Sequence, residues 1–313
     1  MDTITLLDTS AASDNIGDSI IVEAVTDWLS ELRPNAYTYT VATHEYMTGH
    51  SKRFLKASDA AYVAGTNILA SNMEAGVLWK LRPWDAFEVN NAVLVGCGWL
   101  NYMKAPNAYS QWILKKVLSD KHIHAVRDSY TLAHLQGLGK RVLNTSCPTM
   151  WRLTPEHCAT IPSRKADEVV TTFTFYHRDV ELDRSIIEMM KANYSRVHFW
   201  PQQREDLAYF QSLGVSGVEL VNPSLRAYDE LLSNKNVEFL GTRLHGGIRA
   251  LQKGRRALII VVDNRAAEIG KDTGLPIVKR RDVETMKAWI QGDRPTEIAL
   301  PRAAIDEWME QFA

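Results

Sequence analysis

The sequence predicts an α/β protein of two consecutive doubly wound domains, each a parallel sheet with helices on both faces. Three observations predict it. Short apolar or β-branched runs alternate with helix-length amphipathic stripes along most of the chain. Several of those runs end in glycine, as strands do where the chain turns into a helix. At 313 residues the chain is long for one core, and prolines punctuate its middle.

The first strand is read at 3–7, with a polar loop over 8–15. Gly17 and Asp18 open a helix with Ile20, Ile21, Ala24, Val25, Trp28, Leu29 and Leu32 on one stripe, stopped by Pro34. Residues 37–41 alternate with threonine and read as a strand. Strands at 60–64 and 92–95 run into Gly65 and into Gly96 and Gly98, and 70–90 between them reads as partly helical. A helix follows at 108–118, then a strand at 122–126 that ends in Arg127-Asp128. Asp128 suits the cap of a helix at 129–136, and 141–143 is a further short strand.

Over 144–167 the periodicity fades and Pro148, Pro155 and Pro162 interrupt it. The first domain is therefore expected over 1–155 and the second over 165–292, with a C-terminal helix in 300–313 packing on the core. Strands are read at 168–175, 197–200, 218–221 and 237–240. Helices alternate with them, around Leu182 to Met190, at 206–213 and at 225–232. The 237–240 strand breaks at Gly241, and Thr242-Arg243-Leu244-His245-Gly246-Gly247 opens a helix reaching Gly254. A strand at 257–262 then closes on Asp263, and a helix is read at 283–290. Pro301 suits the first position of the last helix, which carries Ile305, Trp308, Met309 and Phe312 on one face.

Composition narrows the function. Lys+Arg at 36 against Asp+Glu at 37 leaves a net charge of −1, so nucleic acid is not an expected partner. The runs Arg255-Arg256 and Lys279-Arg280-Arg281 read as solvated ends of elements. No secretion signal and no apolar stretch long enough to span a membrane are read, and the three cysteines form no paired pattern. A cytoplasmic protein without an integral membrane segment is expected, any membrane association being peripheral to the inner face. No phosphate-loop, dinucleotide-fingerprint, zinc-protease or nucleophile-elbow motif occurs, and the nine histidines lack metal-ligand spacing, so no metal is expected.

The strongest candidate site is the turn at Arg243 and His245. A helix N-terminus after a strand presents unpaired N–H groups and a positive dipole end, and an Arg fork and a His there suit a small acidic ligand. The competing reading is a salt bridge from Arg243 to a neighbouring helix, with His245 as a local cap. Arg127 and Arg265 also follow strands and are read as further cations facing the same cleft, although Arg127 taken alone fits better as a surface residue beside the cap Asp128, and Asp263 equally suits a helix cap. Asn15, Gly17 and Asp18 sit at the first strand-to-helix turn, where a tight turn alone explains Gly17 and Asp18. The segments Phe175-Tyr176-His177-Arg178 and Trp200-Pro201-Gln202-Gln203 follow strands and are read as further lining of a cleft between the domains.

The same motifs resemble those of the polysaccharide pyruvyl transferases. The residues that carry the likeness are Asn15-Ile16-Gly17-Asp18, Ala64-Gly65, Gly96-Cys97-Gly98, Val126-Arg127-Asp128, Gly241-Thr242-Arg243-Leu244-His245-Gly246 and Asp263-x-Arg265. The chain departs from the family pattern at Asp14, where the family has Gly, at Gly65-Thr66-Asn67, where it has a glycine run, and at Arg265, where it often has Lys. The resemblance implies two Rossmann-like domains of GT-B type with a ligand cleft between them. It implies phosphoenolpyruvate as co-substrate, with no cofactor, and transfer of its pyruvyl group to a sugar, glycolipid or polysaccharide acceptor. The donor would be held by Arg127, Arg243, Leu244, His245 and Arg265, with His245, Arg243 and Arg127 catalytic. The acceptor would lie near Asn15, Gly17, Asp18, Thr66 and Asn67. A nucleotide-sugar glycosyltransferase and a non-catalytic anion- or sugar-binding member of the family are the competing readings.

Overall fold

A computed structural model describes residues 2–76, 78–89, 91–234 and 236–312. It contains two Rossmann-like sheets of six parallel strands, in two compact units.

Unit 1 comprises the chain up to Ser13, Ile21–Trp151 and the segment from Leu300. Its strands are β1 (Thr3–Asp8), β2 (Tyr37–Ala42), β3 (Ala60–Leu69), β4 (Ala92–Trp99), β5 (His124–Val126) and β6 (Val142–Asn144), in the order β2-β1-β3-β4-β5-β6. Its helices are α1 (Ile16–Leu32), α2 (Gly49–Ala57), α3 (Ala108–Val117) and α4 (Ser129–Gln136), although the head of α1 groups with unit 2. The central strands β3 and β4 are buried along their whole length, as parallel strands covered on both faces must be. Ile21, Val25 and Leu29 of α1 pack on one face with Tyr62, Val93 and Val95. The C-terminal helix Arg302–Glu310 adds Ile305 and Trp308 to that face, Trp308 lying 5.6 Å from Trp151 between ring centroids. Pro301 is the residue before this helix rather than its first.

Unit 2 comprises Asp14–Ile20 and Arg152–Ala299. After α5 (Pro155–Ala159) come β7 (Glu168–Thr171), α6 (Val180–Asn193), β8 (Arg196–Phe199), α7 (Arg204–Ser212), β9 (Glu219–Leu220) and α8 (Leu225–Leu232). Then follow β10 (Val237–Gly241), α9 (Leu244–Gln252), β11 (Ala257–Val261), α10 (Asn264–Thr273), β12 (Ile277–Lys279) and α11 (Val283–Gln291). The sheet order is β12-β11-β10-β7-β8-β9, the dinucleotide-fold order read from its far edge. Connections reverse between β7 and β10 here, and between β1 and β3 in unit 1. In open parallel sheets ligands bind at the carboxyl ends of the strands flanking such a reversal.

The structure departs from the sequence reading in several places. Gly65 and Gly96 do not end their strands, because β3 and β4 continue to Leu69 and Trp99. Gly65 instead allows close approach: a Cβ there would lie 2.7 Å from the Gly96 carbonyl oxygen. Within 70–90 only two short 3₁₀ turns form, Met73–Ala75 and Pro83–Phe87, and Asn90 lies outside the described residues. The helix α2, absent from the sequence reading, buries only Leu55 and so carries no apolar stripe to detect. Arg256 is not solvated: it is buried and paired with Glu238 at 3.1 Å.

Candidate functional site

The carboxyl end of β10 is stapled to that of β7. Thr242 N–H donates to the Thr172 carbonyl at 2.9 Å, and Arg243 N–H donates to Thr172 Oγ1 at 3.0 Å. Gly241 makes this approach possible, since a Cβ there would meet Thr172 N and Oγ1 at 2.6 Å. The chain then turns directly into α9, with extended Arg243 as its N-cap and no side-chain capping bond. Leu244 and His245 form the first turn, both buried. The first N–H groups of a helix lack intrahelical acceptors, so this end of α9 is chemically suited to an anion.

Arg243 is only 3% exposed, and its fork is already engaged. Nε donates to Asp206 Oδ2 at 2.9 Å and Nη2 donates to Asp206 Oδ1 at 2.6 Å. Nη2 also donates to Gln203 Oε1, and the guanidinium carbon lies 5.2 Å from the centroid of the Tyr176 ring. Asp206 stands in the first turn of α7, where it accepts from Phe175 N–H at 3.1 Å and Gln203 N–H at 3.2 Å. Burial pushes its carboxyl upward, and Arg243 and these N–H groups pull against that. The salt bridge to a neighbouring helix is therefore real, and it fixes the orientation of Arg243 at the same switch point.

Arg265 approaches the same tyrosine. Its Nη2 donates to the Tyr176 hydroxyl and its Nε to Asp263 Oδ2 at 2.9 Å, while Asp263 Oδ1 caps α10 through Arg265 N–H at 3.0 Å. Burial works against the Arg265 charge, but Asp263, Tyr176 and Asp18 together raise its pKa. Asp18 is one of the charges that favour the Arg265 cation. The reason lies in the head of α1: Ile16 N–H donates to the Gln202 carbonyl at 3.0 Å, and Gln203 Nε2 donates to Asp14 Oδ1 at 2.9 Å. Asn15, Gly17 and Asp18, read with the first domain, therefore group with unit 2.

The remaining predicted residues belong to unit 1. Arg127 follows β5, is 1% exposed and lies 3.5 Å from Asp128 Oδ2 through its Nε. It runs over Gly98, where a Cβ would come within 2.3 Å of Nε. Asp128 caps α4 by accepting from Thr131 N–H at 2.7 Å. Thr66 and Asn67 sit in the carboxyl half of β3, beside the reversal point of this sheet. Thr66 has φ +118°, a backbone region that costs a β-branched residue heavily. Asn67 Nδ2 donates to the Leu100 carbonyl at 3.1 Å, while its Oδ1 is buried and meets no donor among the described residues.

Sequence reasoning missed the acid partner. Asp206 is 37 positions from Arg243, and the sequence reading placed it only at the start of the 206–213 helix. The near-equal balance of charges now has a local meaning, because Arg127, Arg243 and Arg265 each have a carboxylate beside them. Among the described residues no helix is long and apolar enough to cross a membrane.

Solved structures with a related fold are remote. A protein named as a UDP-N-acetylglucosamine 2-epimerase from Listeria monocytogenes shares 10% identity, over 99% of this chain and 90% of that one, with a TM-score of 0.49. An O-GlcNAc transferase of Thermobaculum terrenum shares 13% identity, over 99% of this chain and 64% of that one, at 0.44. Arabidopsis thaliana UGT89C1, complexed with UDP-L-rhamnose, shares 9%, over 99% and 93%, at 0.43. Likenesses this distant add nothing to the reading of the site. No curated protein matches the chain. The model of one family, described as polysaccharide pyruvyl transferase, matches residues 15–264 and so spans both the Asn15–Asp18 turn and the Arg243–His245 turn. The chain belongs to the polysaccharide pyruvyl transferase family.

Proposed function

We propose that the protein transfers the pyruvyl group of phosphoenolpyruvate to two hydroxyls of a sugar, in a polysaccharide or its precursor, as a cyclic ketal. The observation that carries this reading is the gathering of Arg243 and Arg265 about Tyr176, beside the uncapped N-terminus of α9 at a sheet's switch point. Phosphoenolpyruvate is a small, highly charged anion, and fixed cations with helix N–H groups suit its carboxylate and phosphate. Asp206 and Gln203 occupy Nε and Nη2 of Arg243, so the donor would be met by Nη1.

In the proposed reaction His245 protonates the methylene carbon, producing a methyl group and an oxocarbenium ion at C2. A sugar hydroxyl adds to C2, and its proton restores His245. The second hydroxyl displaces phosphate, which leaves with the remaining proton, and the ring closes. Arg243 and Arg265 stabilise the charge that develops on the departing phosphate. Arg127 takes its donor-binding part from the family resemblance alone. Thr66 and Asn67 are proposed for the acceptor, Asn67 Oδ1 being an acceptor atom suited to a sugar hydroxyl. The reaction is taken to be cytoplasmic, with any membrane association peripheral.

The test is phosphate release from phosphoenolpyruvate and acceptor. His245→Ala is expected to abolish it, and wild-type release by that variant removes the assignment. A thermal-shift comparison adds the donor: stabilisation by nucleotide sugars but not by phosphoenolpyruvate, with Arg243→Ala as control, points to glycosyl transfer instead.

A further inference from the structure

The head of α1 and the head of α9 share one side chain. Gln202 is 2% exposed, and its Oε1 lies 2.9 Å from where a Cβ on Gly17 would sit. Its Nε2 lies 2.9 Å from the corresponding position on Gly246. Two glycines, one from each helix head, thus leave room for the same amide. The Gln202 carbonyl holds Ile16 N–H at 3.0 Å, and the next residue, Gln203, bonds both Asp14 and Arg243. Despite this enclosure, Gln202 Nε2 is buried and has no acceptor among the described residues. An unmet buried amide donor is costly to a fold, and retention of such a group beside two helix N-termini is explained by a ligand that completes it.

We infer that Gln202 binds the anionic donor directly, and that the Asn15–Asp18 turn serves the donor rather than the sugar acceptor. Gln202 Nε2 donates to an oxygen of the donor anion at the α9 N-terminus. Its backbone carbonyl and Gln203 hold the head of α1 in place beside the residues that bond Arg243. Asp18, in that turn, acts electrostatically in favour of the Arg265 cation. This inference rests on the donor reading above and deepens it, since it moves three residues from one substrate to the other.

Titration calorimetry with phosphoenolpyruvate, without acceptor, separates the possibilities. Gln202→Met keeps length and removes the donor. It is expected to weaken phosphoenolpyruvate binding about tenfold, while leaving thermal stability unchanged or raised, because no hydrogen bond of the fold is lost. Asp18→Asn is expected to weaken the same binding and to leave the acceptor KM within about twofold. Unchanged phosphoenolpyruvate binding in both variants, or an acceptor KM that rises alone, overturns the inference. Wild-type protein that fails to bind phosphoenolpyruvate overturns the donor reading itself, and this inference with it.

Discussion

The carboxylate of Asp206 grips the guanidinium of Arg243 from two nitrogens, with Nε at 2.9 Å and Nη2 at 2.6 Å, and both residues are buried. A paired buried arginine is pre-oriented, whereas an unpaired one carries a large desolvation cost. Removing one partner is therefore worse than the pair's net worth suggests. Asp206→Ala is expected to lower the unfolding free energy by roughly 3–5 kcal/mol, measured by denaturant titration. Asp206→Asn keeps one acceptor oxygen, enough for the N–H of Gln203 or of Phe175 but not both, and is expected to cost less. A loss below about 1 kcal/mol in Asp206→Ala means that the pair is not the clamp described.

Thr66 offers a second measurement. Where the family pattern has glycine, this chain holds a threonine at φ +118°. Such strain costs of order 1–3 kcal/mol and persists where function uses the side chain. Thr66→Gly relieves it, less the chain entropy that glycine adds, for an expected gain of about 1 kcal/mol in stability. If Thr66 contacts the acceptor, the acceptor KM rises in the same variant while phosphoenolpyruvate affinity holds. A more stable variant with unchanged KM removes Thr66 from the acceptor site.

Gly98 gives a steric counterpart in unit 1. A methyl group there would lie 2.3 Å from Arg127 Nε and 2.5 Å from its Cζ, inside a buried region. Overpacking of this kind costs typically ~1–3 kcal/mol, because the guanidinium and the strand end must move apart. Gly98→Ala is expected to lose that much stability and to lose activity as fully as Arg127→Ala does. Full activity in Gly98→Ala would show that the displaced position of Arg127 is not the one that matters.

What the sequence disclosed follows from which interactions are local. Alternation of apolar runs and stripes comes from burial on two faces of a parallel sheet, so both sheets and most helices were legible. The α2 helix was not, because a surface helix that buries only Leu55 leaves no period. The caps at Asp128 and Asp263 were legible as local side chain–backbone bonds. Asp206 was not, and Gln202 and Tyr176 were legible only as cleft lining, since their relation to Arg243, Gly246 and Arg265 is set by strand order rather than spacing. Glycine was misread where it permits close approach instead of a turn, as Gly65 does against Gly96. The departure at Thr66 was visible as a letter, but its strain needed the backbone.

His124 carries the pH dependence. It is fully buried on β5, its Nδ1 accepting from Leu94 N–H at 3.2 Å and its Nε2–H donating to the Ser119 carbonyl at 2.9 Å. Burial lowers its pKa from 6.5 to about 4, with Lys140 and His122 acting the same way and the bond to Ser119 opposing. Protonation would also set a hydrogen on Nδ1 against the Leu94 N–H. The folded value lies below the unfolded one, so the neutral form's contribution is complete above pH 6.5 and is lost as pH falls towards 4. Across that window the loss is about 3 kcal/mol. Asn at this position keeps an acceptor for Leu94 but cannot titrate. Chemical denaturation at stepped pH should therefore show wild type losing stability faster than His124→Asn between pH 6.5 and 4, although the variant starts lower. Parallel curves for the two proteins would mean that His124 is not held neutral by its burial.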